Sequence, residues 1–221
     1  MANIVRVWDL PTRVFHWMLF VCVATLVITG NVGGDAMTWH FRAGYAVLTL
    51  LLFRLVWGVI GGHWSRFVTF IYSPASVLNY LRGQSKPEHL VGHNPMGAFS
   101  VFGLLAFLLL QVSTGLFSDD EISASGPLTR FVSGATVSQL TSYHTQVGKW
   151  VVLLLVLLHI GAIIFYRLKK NENLIKPMLL GDKEIEAAVP ASKDTVGTRL
   201  LAFAVLVVCG TCVAYLVKLG T

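Results

Sequence analysis

Residues 142–170 read SYHTQVGKWVVLLLVLLHIGAIIFYRLKK. The middle is a run of valine and leucine, and a histidine stands near each end, His144 and His159. Polar, ionisable side chains are costly inside a bilayer and mark function where they occur. Fifteen residues of α-helix rise about 22 Å and turn about 1500°, which leaves the two histidines about 60° apart around the axis. Both therefore face one side of the helix, one near each membrane surface.

The rest of the chain fits a membrane setting. It has 221 residues, 55% of them hydrophobic and 13% charged, where a soluble domain carries about 25% charged residues. The net charge of +6 does not point to nucleic acid, because the basic residues sit at the ends of apolar runs. Cys22, Cys209 and Cys212 all lie inside such runs, so no disulfide framework is expected. No cysteine pair is followed by histidine, which excludes covalent c-type haem attachment. Cys209 and Cys212 have redox-motif spacing, but they also read as small residues in a membrane helix. No cleavable signal peptide is apparent, so the first apolar run is expected to be retained.

Five runs approach the roughly 20 residues needed to span a bilayer: about 14–30, 40–60, 96–117, 145–166 and 200–217. Lysine and arginine crowd the segments before the first run, between the second and third, and between the fourth and fifth. The other side holds only Arg42, Arg130, Lys149 and Lys218. The basic side should be cytoplasmic, with the N-terminus inside and the C-terminus outside. The expected location is a bacterial inner membrane. The outer segment TRFVSGATVSQLTSYH reads either as a short surface helix or as a plain connector. The inner segment 169–198 is polar and is expected to be partly ordered at best.

With that topology the histidines pair by depth. His16 and His159 lie near the inner surface, His40 and His144 near the outer. Neutral imidazole is a good iron ligand, and two on facing helices can clamp a haem. His40 is followed by Gly44 and His144 by Gly148. Positions four apart share a helix face, so a missing side chain there would let a porphyrin approach the backbone; small residues also serve plain helix packing. Arg54 lies about 21 Å deeper than His40 and about 40° off its face. It would either neutralise a haem propionate or snorkel to the inner interface. His63 and His89 read as interfacial, and His93 as lining an inner quinone pocket or capping a helix.

These stretches resemble the bacterial diheme cytochrome b561 family, which includes the b-type cytochrome subunits of nickel-iron hydrogenases. The resemblance rests on VWDLPTRVFHW, HFRAGYAVLTLLLFRLVWG, LVGHNPMG, LTSYHTQVGKWVVLLLVLLHIGAIIFY and KNENLIKPMLLG, and covers Val5 to about Gly181. It implies an all-α integral membrane protein: a four-helix haem-binding bundle over residues 1–181, then a linker and fifth transmembrane helix over 182–221. The fifth helix is left to contact a partner or a second copy of the chain.

It also implies two b haems with bis-histidine ligation, His16 with His159 and His40 with His144. The implied function is electron transfer between the quinone pool (ubiquinone or menaquinone) and a redox partner. That partner would be a c-type cytochrome or an oxidoreductase such as a hydrogenase subunit. Asp119, Asp120 and Glu121 read either as a patch that steers a basic cytochrome or as an ordinary solvated loop. The alternative is a superoxide:quinone oxidoreductase acting at the outer haem, with Arg42, Arg130 and Lys149 attracting the anion. A proton-relaying anchor or transporter fits poorly, since no Asp or Glu falls inside a span.

Overall fold

A computed structural model describes residues 3–84, 89, 91–120 and 124–220. Among these, five helices are long and apolar enough to cross a membrane: Leu10–Val32, Gly34–Ile60, Pro95–Gly115, Gly134–Lys169 and Val196–Lys218. Lipid offers the backbone no hydrogen-bond partners, so each apolar run must close its own ladder as a helix. The protein is an all-α integral membrane protein that crosses the membrane several times. Side chains such as Phe20, Leu157 and Phe203 stay more than half exposed, as a lipid-facing surface requires.

In chain order the elements are β1 (Asn3–Arg6), α1 (Leu10–Val32), α2 (Met37–Ile60), α3 (Pro74–Leu81) and α4 (Pro95–Gly115). They continue with α5 (Gly134–Ser142), α6 (Lys149–Lys169), α7 (Ile175–Leu180), β2 (Asp182–Ile185) and α8 (Val196–Lys218). Capping is legible at several starts. Asp9 accepts from the Thr12 N–H (2.9 Å) ahead of Pro11 in the first turn of α1. Asn94 accepts from the Gly97 N–H (2.8 Å), with Pro95 as the first residue of α4. Both follow the preference for a short polar acceptor before a proline-led first turn.

Two features correct the sequence reading. The segment TRFVSGATVSQLTSYH forms no separate surface helix. A 3₁₀ turn at Thr129–Phe131 leads to α5, which runs through a π-helical stretch, Tyr143–Gly148, directly into α6. That stretch contains His144, and a π turn advances each residue by less than the α-helical angle, so the 60° spacing to His159 does not carry over. The segment 169–198 is also well structured. It carries α7 and β2, and β2 pairs antiparallel with β1, Asn3 opposite Ile185 and Arg6 opposite Asp182.

The chain divides into two compact units, and the division cuts across the helices. The first comprises residues up to Phe15, Arg54–Gly103 and Leu157–Phe203. Its core is Val5, Val7, Trp8, Trp64, Val91 and Ile185. Gly181 closes α7 at φ 93° and its carbonyl accepts from the N–H groups of Val7 (2.8 Å) and Trp8 (3.0 Å). A Cβ there would sit 2.7 Å from the Trp8 carbonyl oxygen, so both conformation and space call for glycine. Ser192 donates to the Val7 carbonyl (2.7 Å) and accepts from the Trp64 N–H (3.2 Å).

The second unit comprises His16–Phe53, Leu104–Val156 and the chain from Ala204 on. Its core joins Val47, Leu48 and Leu51 of α2, Leu108 and Val112 of α4, Val152 of α6 and Val213 of α8, with Leu19, Val23 and Leu26 of α1 packed against them. Close van der Waals fit holds these helices, since lipid removes the hydrophobic driving force between them.

Candidate functional site

Within the second unit, two histidines are held in matching seats. The Nδ1 of His40 lies 3.1 Å from the Leu26 carbonyl oxygen and 3.3 Å from the Thr29 hydroxyl, both on α1. The Nδ1 of His144 lies 2.9 Å from the Gln111 carbonyl oxygen and 3.3 Å from the Thr114 hydroxyl, both on α4. A carbonyl can only accept, so each Nδ1 carries the proton and donates it. Each Nε2 is left with its lone pair, the form in which neutral imidazole binds a metal. Gln111 holds His144 a second time, because its amide nitrogen donates to the His144 carbonyl at 2.9 Å.

The two rings lie 6.2 Å apart between centres, with their planes nearly perpendicular at 84°. Two iron–imidazole bonds of about 2 Å, plus about 1 Å from each nitrogen to its ring centre, sum to about 6 Å. The separation therefore suits one metal atom between the rings. No group of three or more His, Cys, Asp or Glu side chains is placed to hold a metal ion among the described residues. Iron between these rings would take its other donors from a macrocycle. A cavity of about 450 Å³ borders both rings, with walls that include Val23, Phe41, Leu108, Val112 and Leu153. Large, apolar and flanked by two open imidazoles, it fits a haem.

The glycines divide. Gly44 lines this cavity, and a Cβ there would meet only Leu26, at 3.9 Å. At Gly148 the freed space is taken by the Gln111 side chain, the group that holds His144. Two other glycines escaped the sequence reading. A Cβ on Gly30 would stand 3.0 Å from the His40 ring, and one on Gly115 would stand 2.9 Å from the His144 ring. Each follows its seating threonine in a repeated string, VITG at 27–30 and VSTG at 112–115. That repetition was the available signal.

His16 belongs to the second unit and His159 to the first. His16 packs edge-on to Trp17 at 5.1 Å, and the Nδ1 of His159 lies 3.3 Å from the Ser100 hydroxyl. Arg54, in the first unit, does not snorkel: it is 3% exposed and lies 4.6 Å from the Phe67 ring centre. Its Nη1 is buried with no hydrogen-bond partner among the described residues. The nearby Asp9 carboxylate is committed elsewhere, to the Thr12 N–H, the Trp57 indole N–H (3.1 Å) and the Gly62 N–H (2.9 Å).

His93 does not cap α4, since Asn94 does; its ring packs against Trp8 (4.7 Å) and Phe70 (4.5 Å). His89 is buried between the rings of Tyr72 and Tyr80. His63 accepts from the Arg66 guanidinium at 3.1 Å; partial burial and that positive charge push its pKa down. Asp119 and Asp120 line the cavity, and Asp120 accepts from the Ala124 N–H at 2.8 Å. Glu121 lies outside the described residues. Arg42, Arg130 and Lys149 each sit over a neighbouring aromatic ring: Trp39, Phe131 and Trp150.

Fold and site together define a class: a multi-pass helical membrane protein with two opposed histidines, each presenting one open nitrogen beside an apolar cavity. A sequence profile of the prokaryotic cytochrome b561 family matches residues 7–181, and the chain belongs to that family. It is thus a b-type cytochrome that carries haem and moves electrons within a membrane. α8 lies beyond the matched region.

Among curated relatives, the probable Ni/Fe-hydrogenase 1 B-type cytochrome subunit of Escherichia coli K12 is 24% identical over 79% of this chain and 88% of its own length. The corresponding probable subunits of Cupriavidus necator and Rhodobacter capsulatus are 25% and 21% identical. They align over 79% and 81% of this chain, and 85% and 81% of their own lengths. No solved structure matches significantly.

Proposed function

We propose that this cytochrome carries electrons across a bacterial inner membrane through two b haems, one ligated by His40 and His144 and the other by His16 and His159. The observation that carries the reading is the 6.2 Å opposition of the His40 and His144 rings, each with Nδ1 tied to a carbonyl and Nε2 left open. A haem held by these histidine pairs would supply a one-electron couple, and two histidines bound to its iron would leave oxygen no place to bind. The second pair rests on depth in the membrane and on the family resemblance.

The chain's own residues set the conditions for that couple. The largely apolar walls favour the lower-charged ferrous state. Arg54 offers a buried, incompletely bonded cation that would receive a propionate of the haem held by His16 and His159. The positive-inside bias puts the N-terminus in the cytoplasm and the C-terminus in the periplasm. Electrons would pass between ubiquinone or menaquinone and a partner protein. The relatives named as hydrogenase cytochrome subunits favour a hydrogenase over a soluble c-type cytochrome as that partner.

The pyridine haemochrome spectrum of the purified protein tests the reading. Two b haems per chain are expected, falling to one in His40→Ala and to one in His16→Ala. A single haem in the unsubstituted protein would remove one pair. Arg54→Gln should lower one of the two midpoint potentials, because a neighbouring cation disfavours the ferric state. If neither potential moves, Arg54 has no propionate.

A further inference from the structure

We infer that Thr29 and Thr114 are positioning residues that fix the potential of the haem held by His40 and His144, and that their contributions are unequal. The inference rests on the haem reading above, and adds to it two hydroxyls that the sequence did not mark.

The two seats share one plan. Each is the C-terminal turn of a helix, and each offers a carbonyl three residues before a threonine, then a glycine against the histidine ring. Leu26, Thr29 and Gly30 serve His40; Gln111, Thr114 and Gly115 serve His144. In both, the Nδ1–H is shared between the carbonyl and the threonine oxygen. Acceptors on Nδ1–H push electron density toward Nε2 and make it a stronger donor to iron. A stronger donor stabilises ferric over ferrous iron and lowers the potential of the one-electron couple. The electron would come from the quinol or the partner protein, and His40 and His144 would keep their Nδ1 protons in both oxidation states.

The asymmetry lies in where each threonine sends its own proton. Thr29 donates to the Thr25 carbonyl at 2.7 Å, with a long 3.4 Å contact to Leu26. Beyond its place in the α1 ladder, the Leu26 carbonyl meets only that long hydroxyl contact in competition with His40. Thr114 donates to the Gln111 carbonyl at 2.8 Å, the same oxygen that accepts from His144. Thr114 therefore gives His144 one acceptor and weakens the other. Removing the Thr29 hydroxyl subtracts an acceptor with nothing returned. Removing the Thr114 hydroxyl subtracts one and frees a carbonyl.

The experiment is a redox titration of purified Thr29→Val, Thr114→Val and the two serine variants, after haem content has been measured on each. Thr29→Val should raise one midpoint potential, and Thr114→Val should raise the same one by a clearly smaller amount. Both serine variants should stay at the starting value, since serine restores the oxygen. No shift in Thr29→Val, a larger shift in Thr114→Val, or serine variants that move as far as the valines would each overturn the inference.

If Thr29→Val loses haem that Thr29→Ser keeps, the hydroxyl is shown to seat the ring, and Thr114→Val against Thr114→Ser then decides the effect on potential. Absence of haem from the unsubstituted protein would instead fail the haem reading itself.

Discussion

The histidine seats of the second unit and the polar knot around Asp9 in the first unit handle the same problem, polar atoms away from water, with opposite outcomes. Around Asp9 the donors and acceptors close on one another. Three N–H groups, from Thr12, Trp57 and Gly62, converge on one carboxylate, and the Thr12 and Ser65 hydroxyls pair at 2.7 Å. Around His40 and His144 the bonding is one-sided: Nδ1 is spent on a carbonyl, Nε2 keeps its lone pair, and the rings border a cavity. A closed network fixes a fold, because breaking it strands buried groups. A network left open toward an apolar cavity has a coordination position to offer. Arg54 lies beside the closed knot and is still incompletely bonded, which sets it apart from the groups around it.

The largest expected effect breaks the open side of this comparison. His144→Ala should halve the haem content while leaving the helical circular dichroism in place. Breaking the closed side should act on the fold. Asp9→Ala removes the α1 cap and strands two further donors, a loss of about 2 kcal/mol or more. A lower Tm with haem stoichiometry retained below the transition would confirm it.

Gly115→Ala sharpens the comparison within the site. A Cβ 2.9 Å from the His144 ring must displace that ring, so haem retention during detergent dialysis should weaken, while Gly103→Ala, where nothing lies within 4 Å, serves as the control.

The smallest effect concerns pH. Burial alone would raise the Asp194 carboxyl. Hydrogen bonds from Arg199 and the Leu10 N–H, with the charges of Arg199 and Arg6, outweigh it and hold the pKa below the ordinary 3.8. Such a group stabilises the fold fully above that value and loses its contribution as pH falls through the depressed one. The Tm difference between the unsubstituted protein and Asp194→Asn should thus be present at pH 7 and vanish in strong acid.

Much of this was legible in one dimension. Five spans follow from run length and hydropathy, since every backbone bond in lipid must be made locally. The depths of His40 and His144 follow from a fixed rise per residue, so their pairing needed only a topology. Membership in the cytochrome b561 family was carried by strings such as VWDLPTRVFHW and HNPMG.

What the tertiary structure alone decided is which groups meet across helices. The carbonyls of Leu26 and Gln111 are ordinary backbone atoms, and nothing in their side chains announces that a histidine on another helix will bind them. The π turn at Tyr143–Gly148 changes the hydrogen-bond register without changing hydropathy. Two of the three partners of Asp9 lie 48 and 53 positions away, and β1 finds β2 almost 180 residues later. Hydropathy records how deep a residue sits along a helix axis. The angle it faces, and what it faces, are set by packing between helices, and that comes from all of them together.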